Sequence, residues 1–211
     1  MPRFRTAAIV PVKTFSKAKT RLNLSSEKTE DLCKVMLNEV LHAISQSEQI
    51  EKIAIVSKDE SAFKIGKKFG AIEIHDEKEL GVNNAVSLAD SYFLDEDFGA
   101  TIVFPQDIPL IQPEDIRTLL DFHIMPRSVL VVPSRKFDGT NALFRAPVNL
   151  METHYDEDSY KIHLTTAESK TASTALVLIR RIMLDVDEPD DLHYILKNTN
   201  YPVSETLKKL L

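Results

Sequence analysis

A single cysteine, Cys33, is all that this 211-residue chain carries. That scarcity excludes an internal disulfide and any cluster of thiolate metal ligands. Cys33 falls on the apolar face of an expected helix, where a thiol reads as inert core, with a nucleophile as the alternative. Long apolar runs are missing too. No stretch approaches the roughly eighteen consecutive apolar residues of a membrane span, so no membrane association is expected. The amino terminus, MPRFRTAAIVPV, enters a strand-like segment with no h-region and no small-residue cleavage site, so no signal peptide is expected. A basic excess is absent: 26 Lys and Arg face 32 Asp and Glu, a net charge of −6, which argues against general nucleic-acid binding. There is no internal repeat and no low-complexity tract. The six histidines show no metal-ligand spacing, with His42 and His193 placed on helix faces. No serine sits in a nucleophile elbow, so no Ser-His-Asp constellation stands out. What these absences leave is a soluble, cytoplasmic α/β protein, expected as one domain over residues 1–211 with 43% hydrophobic residues to build a core.

What is present alternates. TAAIVPV, KIAIVS, AIEIHD, TIVFP and SVLVVPS read as short buried strands. Between them, EDLCKVMLNEVLHAI carries Leu32, Val35, Met36, Val40, Ala43 and Ile44 on one helical face. ESAFKIGKKF reads as a helix ended by Gly70, NNAVSLADSYFL as another, and EDIRTLLDFHI as a helix opened by Pro113. Strand–helix–strand units joined by short loops imply a doubly wound, mostly parallel sheet with helices on both faces. After residue 134 the order loosens. NALFRA and TALVLIR read as strands, METHYDEDSYKIHLTTAES as a loop and helix, and IMLDVDEPDDLHYIL as a strand, a turn and a helix from near Pro189. A small antiparallel insertion on the later half of the sheet is the expectation.

Three stretches could carry chemistry. The loop PVKTFSKAKTRL places Lys13, Lys17, Lys19 and Arg21 between the first strand and the first long helix. Cations near a helix start suit a polyphosphate, although the loop has neither the glycines nor the Gly-Lys-Ser/Thr of a P-loop. An ordinary solvated basic loop is the plain alternative. Two acidic places compete for a metal. Asp107 follows the strand TIVFP in QDIPLI, where an open α/β sheet binds its ligands. Asp185 and Asp187 alternate with Val186, so in an extended stretch both would face one side. Oxygen ligands without His or Cys point to magnesium rather than zinc. The competing readings are an Asp107 that caps a turn and an Asp187 that caps the helix at Pro189, with Asp190 and Asp191 favouring its dipole. In DGTNALFRAP a tight turn presents Thr140 and Asn141 at the mouth of a strand, a place for a small phosphorylated or carboxylated acid or simply a hairpin.

The motifs IVPVKTFSKAKTRL, ELGVNNAV, QDIPLI, DGTNALFRAP and DVDEPDDL, in this order along nearly the whole chain, resemble the 2-phospho-L-lactate guanylyltransferases of deazaflavin coenzyme (F-420) biosynthesis. That resemblance implies a glycosyltransferase-A-like nucleotidyltransferase sheet, GTP as donor, Mg2+, and GMP transfer onto the phosphate of 2-phospho-L-lactate or phosphoenolpyruvate with release of pyrophosphate. It also implies a homodimer and a downstream phospholactate transferase that takes the product. Lys13, Lys17, Lys19 and Arg21 would then hold the triphosphate, and Asn83 and Asn84 the base or ribose. Asp107 and Asp187, with Asp185 as a third candidate, would hold magnesium, and Thr140, Asn141, Asp156 and Ser159 would form the acceptor side. One departure stands out. Where such proteins have a glycine-rich loop, this chain has YDEDSY, with Asp156 and Asp158 in place of glycines. Carboxylates repel an anionic acceptor, so the two acids are expected to turn to solvent, with a second bridging magnesium as the alternative. The other readings are a molybdopterin or sugar-phosphate nucleotidyltransferase on the same fold, and a non-catalytic nucleotide-binding regulator.

Overall fold

The computed structural model describes residues 4–156, 158–197 and 201–210. Among these residues, short runs of β-branched and small apolar side chains form seven strands, β1 (Thr6–Pro11), β2 (Lys52–Ser57), β3 (Ile72–His75), β4 (Ala100–Val103), β5 (Ser128–Pro133), β6 (Thr140–Ala146) and β7 (Thr174–Leu176). They build one sheet in the order β3-β2-β1-β4-β6-β5-β7. All neighbours are parallel except β6, which runs antiparallel to both β4 and β5. The antiparallel element is therefore one strand built into the sheet, returning from β5 as a hairpin.

Among the described residues seven α-helices flank the strands: α1 (Ser26–Ser45), α2 (Glu60–Lys67), α3 (Val82–Asp95), α4 (Pro113–Leu120), α5 (Ser159–Glu168), α6 (Pro189–Lys197) and α7 (Pro202–Leu210). Successive side chains of a strand leave on opposite faces, and both faces here are covered. Ala8, Val10, Ile53, Ile55, Ile102 and Phe104 pack under α1 with Leu32, Met36, Leu37 and Val40. Ala7, Ile9, Ala54, Val56 and Val103 pack on the other side against Ala85, Val86, Ala89 and Phe93 of α3. The helix starts follow from local chemistry. The Ser25 side chain accepts from the backbone N–H of Lys28, and that of Asp59 from Ser61. None of the described helices is long and apolar enough to cross a membrane.

Two expectations change. Only the first three residues of TALVLIR form a strand, as β7. IMLDVD forms no strand, because its backbone bonds to loops and not to a ladder. Val186 N–H donates to the Asp107 carbonyl at 3.0 Å, and the Met183 carbonyl accepts from Arg135 N–H at 2.8 Å. Helix α7 was not foreseen; it buries Val203 and Leu207 and packs on α1.

Candidate functional site

The basic loop after β1 is held down by its apolar residues and opened by its charged ones. Phe15, Ala18 and Leu22 are buried, whereas Lys13, Lys17 and Arg21 are exposed. Two carboxylates fix its backbone. Asp59 accepts from Phe15 N–H at 3.0 Å, and Glu79 accepts from the Thr14 N–H at 2.8 Å and hydroxyl at 2.5 Å. Burial opposes ionisation of Glu79, but the Thr14 hydroxyl and the Lys58 ammonium outweigh it and bring its pKa down to about 2. Sequence reasoning singled out neither acid, since each acts across the fold on a residue more than forty positions away.

Lys19 differs from its basic neighbours. Its backbone is left-handed, with φ 52°, and its side chain is only 7% exposed. The ammonium sits between Asp107 Oδ2 and Asp187 Oδ1, the latter at 2.5 Å. Burial works against this charge, yet the two carboxylates more than offset it and raise the Lys19 pKa. Asp107 and Asp187 meet because the Val186–Asp107 backbone bond ties their two segments together. Asp187 does not cap α6 with its side chain. Asp191 takes that role, accepting from Asp187 N–H at 3.2 Å and Glu188 N–H at 2.9 Å, which leaves the Asp187 carboxylate to Lys19.

Asp185 stands apart from that pair. Its carboxylate accepts from Asn141 Nδ2 at 3.0 Å, and burial with the nearby Asp107 charge raises its pKa to about 6. Among the described residues no three His, Cys, Asp or Glu side chains are grouped to hold a metal. Asp107 Oδ1, however, is buried without a hydrogen-bond partner.

These groups surround a cleft of about 590 Å³. Lys13, Lys17, Lys19 and Arg21 line one side, and Asp107 and Asp187 another. Asp76, Gly81 and Asn83 line a third side, and Tyr155 and Asp156 reach it from the loop before α5. Asn83 Oδ1 accepts from Tyr155 N–H at 2.8 Å, and Asn84 donates its amide to Asp76 at 3.0 Å. Thr140, Asn141 and Ser159 are not among the lining residues; all three are buried in internal hydrogen bonds. Ser159 donates to Thr140 Oγ1 at 3.0 Å, and Asn141 also donates to the Ile182 carbonyl at 3.0 Å. Thr140 meets His163 Nδ1 at 2.9 Å, and His163 Nε2 accepts from His154 N–H at 2.8 Å. The proton of the neutral ring therefore lies on Nδ1. Burial, with His154 and Arg145 nearby, pushes the His163 pKa down to about 3.

The two acids of the YDEDSY loop part company. Asp156 is exposed on the cleft, while Asp158, left-handed at φ 55°, pairs with Lys161 at 3.1 Å in solvent. Beneath the loop lies a pair that sequence reasoning missed. Arg145, 1% exposed, donates to both oxygens of Asp90 at 2.7 Å and to Thr101 Oγ1 at 3.1 Å. An arginine inside the apolar run NALFRA was the available clue.

A family model described as guanylyl transferase CofC like matches residues 6–211. The phosphoenolpyruvate guanylyltransferase of Conexibacter woesei is 33% identical over 89% of this chain and 85% of its own length. The 2-phospho-L-lactate guanylyltransferase of Methanothermobacter thermautotrophicus is 32% identical over 98% of this chain and 91% of its own. The 3-phospho-D-glycerate guanylyltransferase of Colwellia psychrerythraea is 31% identical over 98% of each. Among solved structures, a Desulfovibrio desulfuricans G20 protein classed with the nucleotide-diphospho-sugar transferases superposes with TM-score 0.75 at 15% identity, covering 97% of this chain and 94% of that one. CMP:2-keto-3-deoxy-manno-octonic acid synthetase complexed with CTP superposes with TM-score 0.58 at 14% identity, over 98% of this chain and all of the other. These structural likenesses establish a shared fold.

Proposed function

Because this chain belongs to the CofC-like family of guanylyl transferases and is thus a nucleotidyltransferase, we propose that it moves GMP from GTP onto the phosphate of a small three-carbon acid and releases pyrophosphate. The observation that carries the reading is the Lys19 ammonium held between Asp107 and Asp187 in a cleft beneath a basic loop. Lys13, Lys17 and Arg21, exposed on the same side, bind the triphosphate and offset charge on the departing pyrophosphate. Lys19, dry and fixed, is the cation that meets the α-phosphate. The nucleophile is an acceptor phosphate oxygen that is already ionised at neutral pH, so no protein base is required. Catalysis then comes from alignment and charge stabilisation.

Asp107 and Asp187 fit magnesium: both offer hard oxygen donors, and Asp107 Oδ1 is buried with no partner. Bound there, the ion would supply charge stabilisation at the α-phosphate. Asp185, turned to Asn141, joins this reading as a supporting neighbour. Thr140, Ser159 and His163 act from behind the cleft, fixing the loop that carries Tyr155 and Asp156 toward the acceptor. The acceptor is 2-phospho-L-lactate or phosphoenolpyruvate. Three relatives of nearly equal identity carry three different acceptors in their names. Overall identity therefore does not rank the acceptors, and the acidic YDEDSY loop is the local difference to test. The product, a labile diphosphate diester, would pass to a downstream phospholactate transferase, and the working form would be a homodimer in the cytoplasm.

The test is pyrophosphate release with each of the four nucleoside triphosphates crossed with 2-phospho-L-lactate, phosphoenolpyruvate and 3-phosphoglycerate. Release that depends on GTP and on 2-phospho-L-lactate or phosphoenolpyruvate is the expected result. GTP binding with no release from any combination would instead support a non-catalytic regulator.

A further inference from the structure

The far side of the cleft holds a carboxylate that makes no direct ion pair among the described residues. Asp76 follows directly after β3 and is 6% exposed, yet it lines the cleft. Its backbone is fixed at both ends: the N–H donates to the Ser57 carbonyl at 2.8 Å, and its carbonyl accepts from Glu79 N–H at 3.2 Å. The side chain is aimed by Asn84, which donates to Oδ1 at 3.0 Å. The nearby Lys58 is held by Glu79 at 2.9 Å. A carboxylate this secluded calls for further N–H donors, and a ligand in the cleft can bring them.

The space in front of Asp76 has a definite shape. Gly81 has φ +107°, and a Cβ built there would meet nothing within 4 Å, so the wall is open at that point. On either side, Leu80 and Val82 are exposed apolar residues, at 67% and 39%. An apolar flank beside an inward carboxylate suits a flat heterocycle that lays a face on the aliphatic groups and turns an edge to the acid. The sheet sets the distance. β3 and β4 lie three strand spacings apart, about 14 Å. That separation lets one nucleotide present its base at the β3 end and its phosphates at Asp107, beyond β4.

We propose that Asp76 is the specificity-determining residue for the nucleobase, selecting guanine through its adjacent N1–H and exocyclic N2 amine. This inference rests on the guanylyl-transfer reading above. Of the four bases only guanine puts two neighbouring donors on one edge. Adenine and cytosine set an unprotonated ring nitrogen beside their amine, and uracil flanks its one N–H with carbonyls. Each of those would leave a lone pair facing the Asp76 carboxylate. Asn84 is then a positioning residue, because its amide is spent on Asp76 and not on the base. Asn83 has its carbonyl on the Tyr155 N–H and ties the base wall to the loop before α5.

The experiment measures equilibrium binding of GTP, ITP, XTP and ATP to the full chain and to its Asp76→Asn variant. ITP lacks the N2 amine, and XTP carries a carbonyl there. The native protein should bind GTP about tenfold or more tightly than either. In Asp76→Asn the amide can donate to that carbonyl, so GTP binding should weaken and XTP binding strengthen until the preference inverts. An unchanged GTP-to-XTP ratio, or equal weakening toward all four nucleotides, would overturn the assignment. If the variant does not fold, the native protein decides: GTP bound no more tightly than ITP overturns the assignment, and a tenfold preference upholds it. A native protein that binds no GTP, or binds ATP equally well, would overturn the guanylyl-transfer reading itself.

Discussion

Asp107, half-buried, and His163, fully buried, show how differently two polar residues can serve one site. Asp107 keeps one oxygen on Lys19 and another without a partner, the oxygen that the proposed function gives to magnesium. Asp107→Asn keeps the shape and removes the charge. It should lower turnover by on the order of a hundredfold or more while the melting temperature stays near the native value. Magnesium-dependent turnover at the native rate would refute the assignment. His163 is reserved for nothing and is fully satisfied as a neutral ring. Its pKa falls from the ordinary 6.5 to about 3 in the fold, so below about 6.5 the unfolded chain binds a proton that the folded one refuses. Its contribution to stability is complete above that pH and is lost as pH falls toward about 3. The native melting temperature should therefore decline more steeply across this window than that of His163→Gln, as a calorimetric pH series would show.

At the scale of elements, β6 is tied to α3 and β4 by one clamp, Arg145 on Asp90 and Thr101. Arg145→Leu leaves the Asp90 charge buried alone and should cost about 3–5 kcal/mol in urea unfolding; adding Asp90→Leu should recover much of it. The YDEDSY loop carries a smaller test. Asp158 is left-handed and its side chain pairs with solvent-exposed Lys161, so Asp158→Gly should gain up to about 1 kcal/mol and leave the acceptor KM unchanged. The five early strands and their helices were legible because apolar runs and Gly or Pro punctuation repeat there without conflict. IMLDVD misled because alternation describes an extended chain without saying whether a strand lies beside it. In the site, Lys19 was legible as a cation of the basic loop, Asp107 as an acid after a buried strand, and Asp187 as one of two alternating acids. Asp59, Glu79 and Asp76 were not, since their partners come from other segments. Thr140 looked like a donor to a ligand because a turn displays it, and Ser159 because of the family resemblance; burial turned Thr140 to His163 and Ser159 to Thr140.

Across the whole molecule, the chain ends by returning to its beginning, with α7 laid on α1 and Leu207 fully buried. Leu207→Ala should cost about 2–5 kcal/mol in equilibrium unfolding, although the residue lies outside the cleft. A longer return is made by Lys19, whose two carboxylates lie 88 and 168 residues further along. Contacts of such separation close very large loops, while the hairpin of β5 and β6 closes a short one. During refolding the hairpin and helices can therefore form early, but the Lys19 junction must wait until both distant segments have docked. Far-UV ellipticity should recover ahead of GTP binding in a stopped-flow experiment, and the order should hold at any protein concentration. A nascent chain on the ribosome would meet the same constraint: Asp187 must emerge before it can reach Lys19, 168 residues earlier, so the nucleotide site proposed above cannot be complete until that segment has left the tunnel.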